Sequence, residues 1–352
     1  MSEPVLSPEL HEGVLQALRE QGITDAPQFE PLGGGGNNRV LRVQAGGRAF
    51  ALKCYFQHAA DPRDRYRAER AFYEYLADAG VRNAPGLIVA RDDLRFALFT
   101  FIPGRKLAPE EINRAFVERA ARFAVEANAR RHSERAMAVQ HASEACFSIA
   151  EHLTCVDRRI DRVGHVEVHE PVDREALAFA QSELKPAWEK MRREILERAH
   201  QRHLSPAHTL APSEICLSPS DFGFHNALWW EERELFFFDF EYAGWDDPAK
   251  LACDFFCQPQ LPAPIEHWEL FVGALGEGLA KHSGSFSARA GLLLPAYQIK
   301  WCCIMLNEFL PGDRQRRNFA RSGATSTERK RAQLDKSRAG LRRALDLQDC
   351  QP

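Results

Sequence analysis

The strongest constraint on the fold lies in Asp221-Phe222-Gly223-Phe224-His225-Asn226, followed by Phe236-Phe237-Phe238-Asp239-Phe240-Glu241. Ala227 to Trp230 reads as one strand, Glu231 to Glu234 as a polar turn, and Leu235 to Phe238 as the return strand. The outer ends of an antiparallel hairpin lie side by side, about 4.5–5.5 Å apart between Cα atoms. Asn226 opens the first strand and Asp239 closes the second, so the hairpin brings them to one end. An amide oxygen and a carboxylate placed there suit Mg²⁺, which prefers oxygen ligands and takes only one or two carboxylates. Taken separately, Asp221 and Asn226 also suit a turn and Asp239 a strand end.

Asp221 stands five residues before Asn226 and eighteen before Asp239. Phosphoryl transfer on a kinase-like scaffold uses such a set: one carboxylate orients the attacking hydroxyl, and an Asn and a second carboxylate hold the metal on the nucleotide phosphates.

The N-terminal third supplies complementary parts. Ser7-Pro8-Glu9 reads as a helix start, with Leu10, Val14 and Leu18 on one face. Gly33-Gly34-Gly35-Gly36-Asn37 lies between strand-like runs at 28–32 and 40–43. Such a loop lets backbone N–H groups approach phosphate oxygens, and is equally a flexible turn. Ala49 to Tyr55 reads as a third strand with Lys53 among apolar residues. Lysine on a half-buried strand either faces water or has a charged partner. Glu69, on the helix 65–76, is the first choice, with Glu74 in reserve. The strand beginning at Phe96 stops at Pro103-Gly104. Its end, at Thr100 to Ile102, is where an adenine ring is expected.

In this order the parts resemble the aminoglycoside phosphotransferase and choline kinase family, small-molecule kinases of protein-kinase-like fold. The resemblance covers residues 25–258. Asp239-Phe240-Glu241-Tyr242-Ala243-Gly244 looks like the metal-ligand segment of the choline kinase branch, and Asp247-Pro248 matches the Asp-Pro that follows it. It implies an α+β, bilobal fold, with a small antiparallel-sheet nucleotide lobe at 1–102 and a larger helical lobe at 103–352. It also implies ATP and Mg²⁺ as cofactors. Asp221 would orient or deprotonate the acceptor hydroxyl, Asn226 and Asp239 would bind the metal, and Lys53, held by Glu69, would contact the α/β-phosphates. The triplet Asp221-Phe222-Gly223 spells the metal-binding sequence of protein kinases, but no catalytic Asp and Asn precede it, so it does not take that role.

There are departures. Pro219-Ser220-Asp221 stands where the family has His-Gly-Asp, Asp246 where Gly is usual before Asp-Pro, and Leu251 where Asp is frequent. Hence two readings: a divergent active phosphotransferase, or a nucleotide-binding pseudokinase acting as a regulatory or scaffold module.

The remainder reads as helical, with helices over 108–128 and 176–200 and a break or kink at Pro186. For the acceptor, a small hydroxyl compound, two sets of side chains are available. Tyr242, Trp245, Trp268 and Trp301 suit a cationic acceptor, and Asp246, Asp247 and Asp254 suit a basic one; packing and helix capping are the alternatives. The basic stretch 314–343 reads as a solvated terminal helix or an anion site. A net charge of −3 argues against nucleic-acid binding. No apolar run suits membrane insertion, no leader segment is visible, and nine scattered cysteines suggest reduced thiols and a cytoplasmic location. Cys253 with Cys257, and Cys302 with Cys303, lack a second zinc pair and read as buried thiols.

Overall fold

The structure is a computed structural model and describes residues 6–33, 38–56, 63–279, 283–310 and 326–349. Helix α1 (Pro8–Glu20) is capped by the Ser7 hydroxyl, which accepts from the Leu10 amide. Strands β1 (Gln28–Pro31), β2 (Arg39–Ala45) and β3 (Arg48–Cys54) follow, then α2 (Arg65–Ala79), β4 (Leu87–Arg91) and β5 (Phe96–Thr100). The five strands form one antiparallel sheet in the order β1-β2-β3-β5-β4.

Alternation along β3 gives this sheet two different faces. Phe50, Leu52 and Cys54 pack with Val14, Ala17 and Leu18 of α1. Ala51, Lys53 and Tyr55 point to the other face, where α2 lies; Tyr55 packs there with Phe72, Tyr73 and Leu76. Lys53 is thereby placed under α2, the element carrying Glu69. Asp64 caps the start of α2, and Gly80 ends it at φ +75°, a left-handed conformation suited to glycine.

Beyond β5 the chain is mainly helical. Helices α3 (Arg114–Glu126), α4 (Glu134–Met137), α5 (Ile149–Val163), α6 (Pro171–Phe179) and α7 (Lys185–Gln201) precede the short strands β6 (Cys216–Ser218), β7 (Ala227–Trp230), β8 (Glu234–Phe237) and β9 (Gly244–Asp246). Helices α8 (Pro248–Cys257), α9 (Trp268–Leu279), α10 (Ser283–Met305) and α11 (Ser326–Asp349) complete the described chain. β7 pairs with β8 as a hairpin, and β6 pairs with β9. The architecture is α+β, with an antiparallel-sheet N-terminal part and a helical C-terminal part.

Two helices differ from the sequence expectation. The helix expected from Ala108 begins only at Arg114, because Asn113 caps it by accepting from the Ala115 amide. Pro109 to Glu111 is a separate 3₁₀ turn, and Ile112 is buried in extended backbone. The expected break near Pro186 is a π turn over Ala180–Leu184; it leaves Pro186 in the first turn of α7, where its missing N–H breaks no ladder bond.

Cys253, Cys302 and Cys303 are buried and Cys257 is half-buried. The described basic residues of α11 are largely paired: Lys330 with Asp173, Arg331 with Glu175, and Arg329 with Glu308. This face packs α11 against α6, with Leu334 and Leu341 buried. Arg314, Arg316, Arg317 and Arg321 lie outside the described residues.

Candidate active site

The site forms where β3, α2 and the segment after β8 converge. The Lys53 ammonium lies 2.5 Å from Glu69 Oε2 and 2.5 Å from Asp239 Oδ1, with Glu241 Oε2 at 3.7 Å. Glu69 also accepts from the Tyr55 hydroxyl at 2.8 Å and from the Phe240 amide at 3.0 Å. It therefore ties the sheet, α2 and the metal-ligand segment together. Glu74, the reserve partner, pairs instead with Arg70 and Arg135.

Burial separates the members. The side chains of Lys53 and Glu69 are 9% and 1% exposed, whereas Asp239 is 32% exposed and open to a ligand. Burial alone would push the Lys53 ammonium down, but the carboxylates of Asp239, Glu69 and Glu241 reverse this and hold it well above the ordinary lysine value. Burial pushes Glu69 up to about 7, against the pull of Lys53.

Asp239 differs in detail from its expected place. The last strand pair is Ala227 with Phe237, and the Phe238 amide donates to the Asn226 carbonyl at 3.0 Å. Phe238 therefore stands opposite Asn226, and Asp239 comes one residue later at φ +69°. This left-handed step ends the strand direction just where the carboxylate meets Lys53.

Asp221 and Asn226 sit on the loop before the hairpin. Asn226 donates its side-chain amide to the Asp221 carbonyl at 3.0 Å, which leaves the amide oxygen as the group able to ligate. The Asp221 carboxylate is 36% exposed, with His225 Nε2 3.3 Å away. Ser220, at the family's usual glycine position, has φ +64°.

At the expected adenine position, the Thr100 amide donates to the Gly86 carbonyl at 2.8 Å and its hydroxyl accepts from the Gly86 amide. Thr100 therefore has no N–H to offer a base. The half-buried Ile102 follows the strand. Gly33 lies in the described turn after β1, while Gly34, Gly35, Gly36 and Asn37 lie outside the described residues.

Several site residues were not singled out from the sequence. Lys106 donates to the His225 carbonyl at 2.5 Å and lies over the Phe238 ring at 4.4 Å from its centroid. Burial lowers its pKa to about 8, with Asp239 acting in the opposite direction. Asn38 donates to Glu241, and Arg65 lies 3.7 Å from the same carboxylate. Glu241 stands two residues after Asp239, a pattern that could have marked it. Lys106 sits on an exposed segment and is recognisable only through its spatial neighbours.

The residues considered for the acceptor do not gather. Trp268 packs against Phe256, Trp245 donates to the Ala136 carbonyl, and Trp301 donates to Asp254. Only Tyr242 borders the site, beside Arg65. Asp246, Asp247 and Asp254 are buried and paired with Lys250, Arg289 and Lys300, so the reading of them as an acceptor cleft falls.

The fold and this arrangement define a kinase-like phosphotransferase scaffold. Residues 28–284 match the phosphotransferase enzyme family (APH), and the chain belongs to that family. Solved structures of the same fold include choline kinase from Cryptosporidium parvum Iowa II, at 12% identity and a TM-score of 0.57, covering 97% of each chain. Choline kinase LicA from Streptococcus pneumoniae matches at 11% identity and 0.58, covering 95% of this chain and 99% of that one. The streptomycin–ATP ternary complex of APH(2'')-IIa matches at 15% and 0.55, covering 91% and 100%. No curated protein matches the chain. Among the described residues no helix is long and apolar enough to cross a membrane.

Proposed function

We propose that this chain transfers the γ-phosphoryl group of Mg²⁺-ATP to a hydroxyl of a small molecule. The observation that carries this reading is the Lys53 ammonium held between Glu69 and the partly open Asp239, at the hairpin mouth that also presents Asn226. The ATP complex of a structure sharing the fold supports the choice of nucleotide. The nucleotide lobe would span 1–102, with the helical lobe at 103–352 forming the other wall. The Gly33 to Asn37 loop would cover the phosphates. Backbone groups near Ile102 would meet the adenine, since Thr100 is committed to Gly86.

The donor set suits Mg²⁺. Oxygens of Glu69, Asp239 and Glu241 lie within 4.8 Å of one another, and the Asn226 amide oxygen faces no internal donor among the described residues. Asn226 and Asp239 would hold the ion, which when bound supplies charge neutralisation on the phosphates. Lys53 would leave Asp239 and turn to the α/β-phosphates, still fixed by Glu69. Asp221 accepts the hydroxyl proton as the acceptor oxygen bonds to Pγ. The bond from Pγ to the bridging oxygen breaks, and its electron pair leaves with ADP. No phosphoenzyme is needed; catalysis is positioning and charge stabilisation.

Thermal unfolding with and without ATP at constant Mg²⁺ tests the nucleotide site. Ligand at 100 times its dissociation constant should stabilise the protein by about 2.7 kcal/mol. The shift should need Mg²⁺ and disappear in Asp239→Ala. Pro219 favours the pseudokinase alternative, because it removes the family's histidine. That alternative predicts ATP binding without Asp221-dependent transfer, or no ATP binding.

A further inference from the structure

The loop preceding the hairpin offers Asp221 little support from its N-terminal side. Pro219 has neither an N–H nor a polar side chain. The Ser220 amide is committed to the Ser218 hydroxyl at 3.0 Å. Support comes from the C-terminal side instead. His225 lies four residues on, in the 3₁₀ turn Phe224–Asn226, and its Nε2 is 3.3 Å from Asp221 Oδ1. Among the described residues this imidazole is the only side chain in contact with the Asp221 carboxylate.

The loop is built around the imidazole. His225 is 9% exposed at its side chain. Its carbonyl accepts from Lys106 Nζ, which anchors the backbone below the ring. A Cβ at Gly223 would stand 2.8 Å from His225 Nδ1 and 3.2 Å from the Gln258 side chain. Gly223 has φ 170°, extended backbone open to any residue, so what glycine provides there is room for the ring. Nδ1 has no partner among the described residues, leaving Asp221 as the ring's polar contact.

We propose that His225 is the positioning residue of this site: the Nε2 edge of its ring, 3.3 Å from Asp221 Oδ1, pairs with that oxygen and leaves the other directed at the acceptor hydroxyl. A carboxylate only accepts hydrogen bonds, so the ring nitrogen facing it carries the hydrogen. The inference rests on Asp221 as proton acceptor and adds how that carboxylate is aimed without the usual histidine two residues before it.

The test uses the full chain with Mg²⁺-ADP for crystals and Mg²⁺-ATP, with water as acceptor, for turnover. In His225→Ala the Asp221 side chain should occupy more than one rotamer. ADP release should fall by about 10–100-fold, while KM for ATP stays within about twofold, as expected when only transition-state positioning is lost. His225→Gln, whose amide nitrogen can reach the same oxygen, should restore a single rotamer and most of the turnover. Gly223→Ala should displace the ring without deleting it and act in the same direction as His225→Ala. A single unchanged Asp221 rotamer in His225→Ala would overturn the proposal, whatever the turnover. So would wild-type turnover in His225→Ala while Asp221→Asn is impaired. Full turnover in Asp221→Asn would instead remove the proton-acceptor role of Asp221 itself, and the crystals alone would then decide the contact.

Discussion

Two groups of carboxylates, one around Asp239 and one in the segment that follows it, do different work. Among the described residues, Glu69, Asp239 and Glu241 face Lys53, with Arg65 3.7 Å from Glu241, and Asp239 stays partly open. Asp246, Asp247 and Asp254 are each matched: Lys250 bonds Asp246, Arg289 grips Asp247 at 2.7 and 2.9 Å, and Lys300 bonds Asp254 at 3.0 Å. The side chains of Asp246 and Asp247 are fully buried. A buried, matched set is closed and serves the fold. A carboxylate at an open edge leaves a place for a cation. Charge balance and access together separate a structural acid from a candidate metal ligand, where residue type does not.

The largest expected effect strikes the matched group. Asp247 also receives His152 Nε2 at 3.1 Å and caps α8 through the Ala249 amide at 2.8 Å. Asp247→Ala leaves a buried guanidinium unpaired and should cost about 3–5 kcal/mol in denaturant unfolding. A loss below 1 kcal/mol would erase the contrast between the groups.

In the open group the effect should move from stability to catalysis. Asp239→Ala and Asp221→Ala should each lower phosphoryl transfer at least about a hundredfold. Stability of Asp239→Ala should change by less than about 1 kcal/mol, because Asp239 is partly exposed and Lys53 keeps Glu69. Transfer retained in both variants would refute the site.

How far the sequence carries this contrast depends on the scale of the pattern. The β7–β8 hairpin was readable because Ala227 to Trp230 and the phenylalanine run flank a polar turn, and local alternation set its ends to within a residue. The partner of Lys53 was readable because helix α2 had to follow the strand. β4 escaped notice, since all five of its residues are half-buried and show no alternation. β6 and β9, at three residues each, are too short for any period. The roles of Asp247 and Asp254 depend on Arg289 and Lys300, 42 and 46 residues further on. Nothing local to either Asp announces those partners, and a closed ion pair and an open ligand look alike in one dimension.

A smaller effect tests the backbone beside Asp221. Ser220 holds φ +64°, where a side chain costs roughly 1 kcal/mol and glycine does not. Ser220→Gly gives back part of that relief as entropy in the unfolded chain. The net expectation is stabilisation by at most about 0.5 kcal/mol, measured by the midpoint of denaturant unfolding. Destabilisation would mean that Ser220 makes a contact worth more than its strain.

The finest test uses Lys106, a cation at the site whose charge is weakened. Lys53 is locked as an ammonium by three carboxylates, and an amine reagent should pass it by. Lys106 is an exposed residue as a whole, but its ammonium end is crowded against Phe238 and the His225 carbonyl, and burial there lowers its pKa to about 8. Below about pH 8 it is protonated and unreactive; above, it becomes the neutral, nucleophilic amine. Limited acylation followed by peptide mapping should therefore mark Lys106 ahead of Lys53, with a rate that climbs through pH 8. Because Lys106 covers Phe238, next to Asp239, Mg²⁺-ATP should slow its labelling. Labelling of Lys53 at a comparable rate would show that its carboxylate cage opens in solution, and the cage would then no longer distinguish this site from an ordinary exposed cluster.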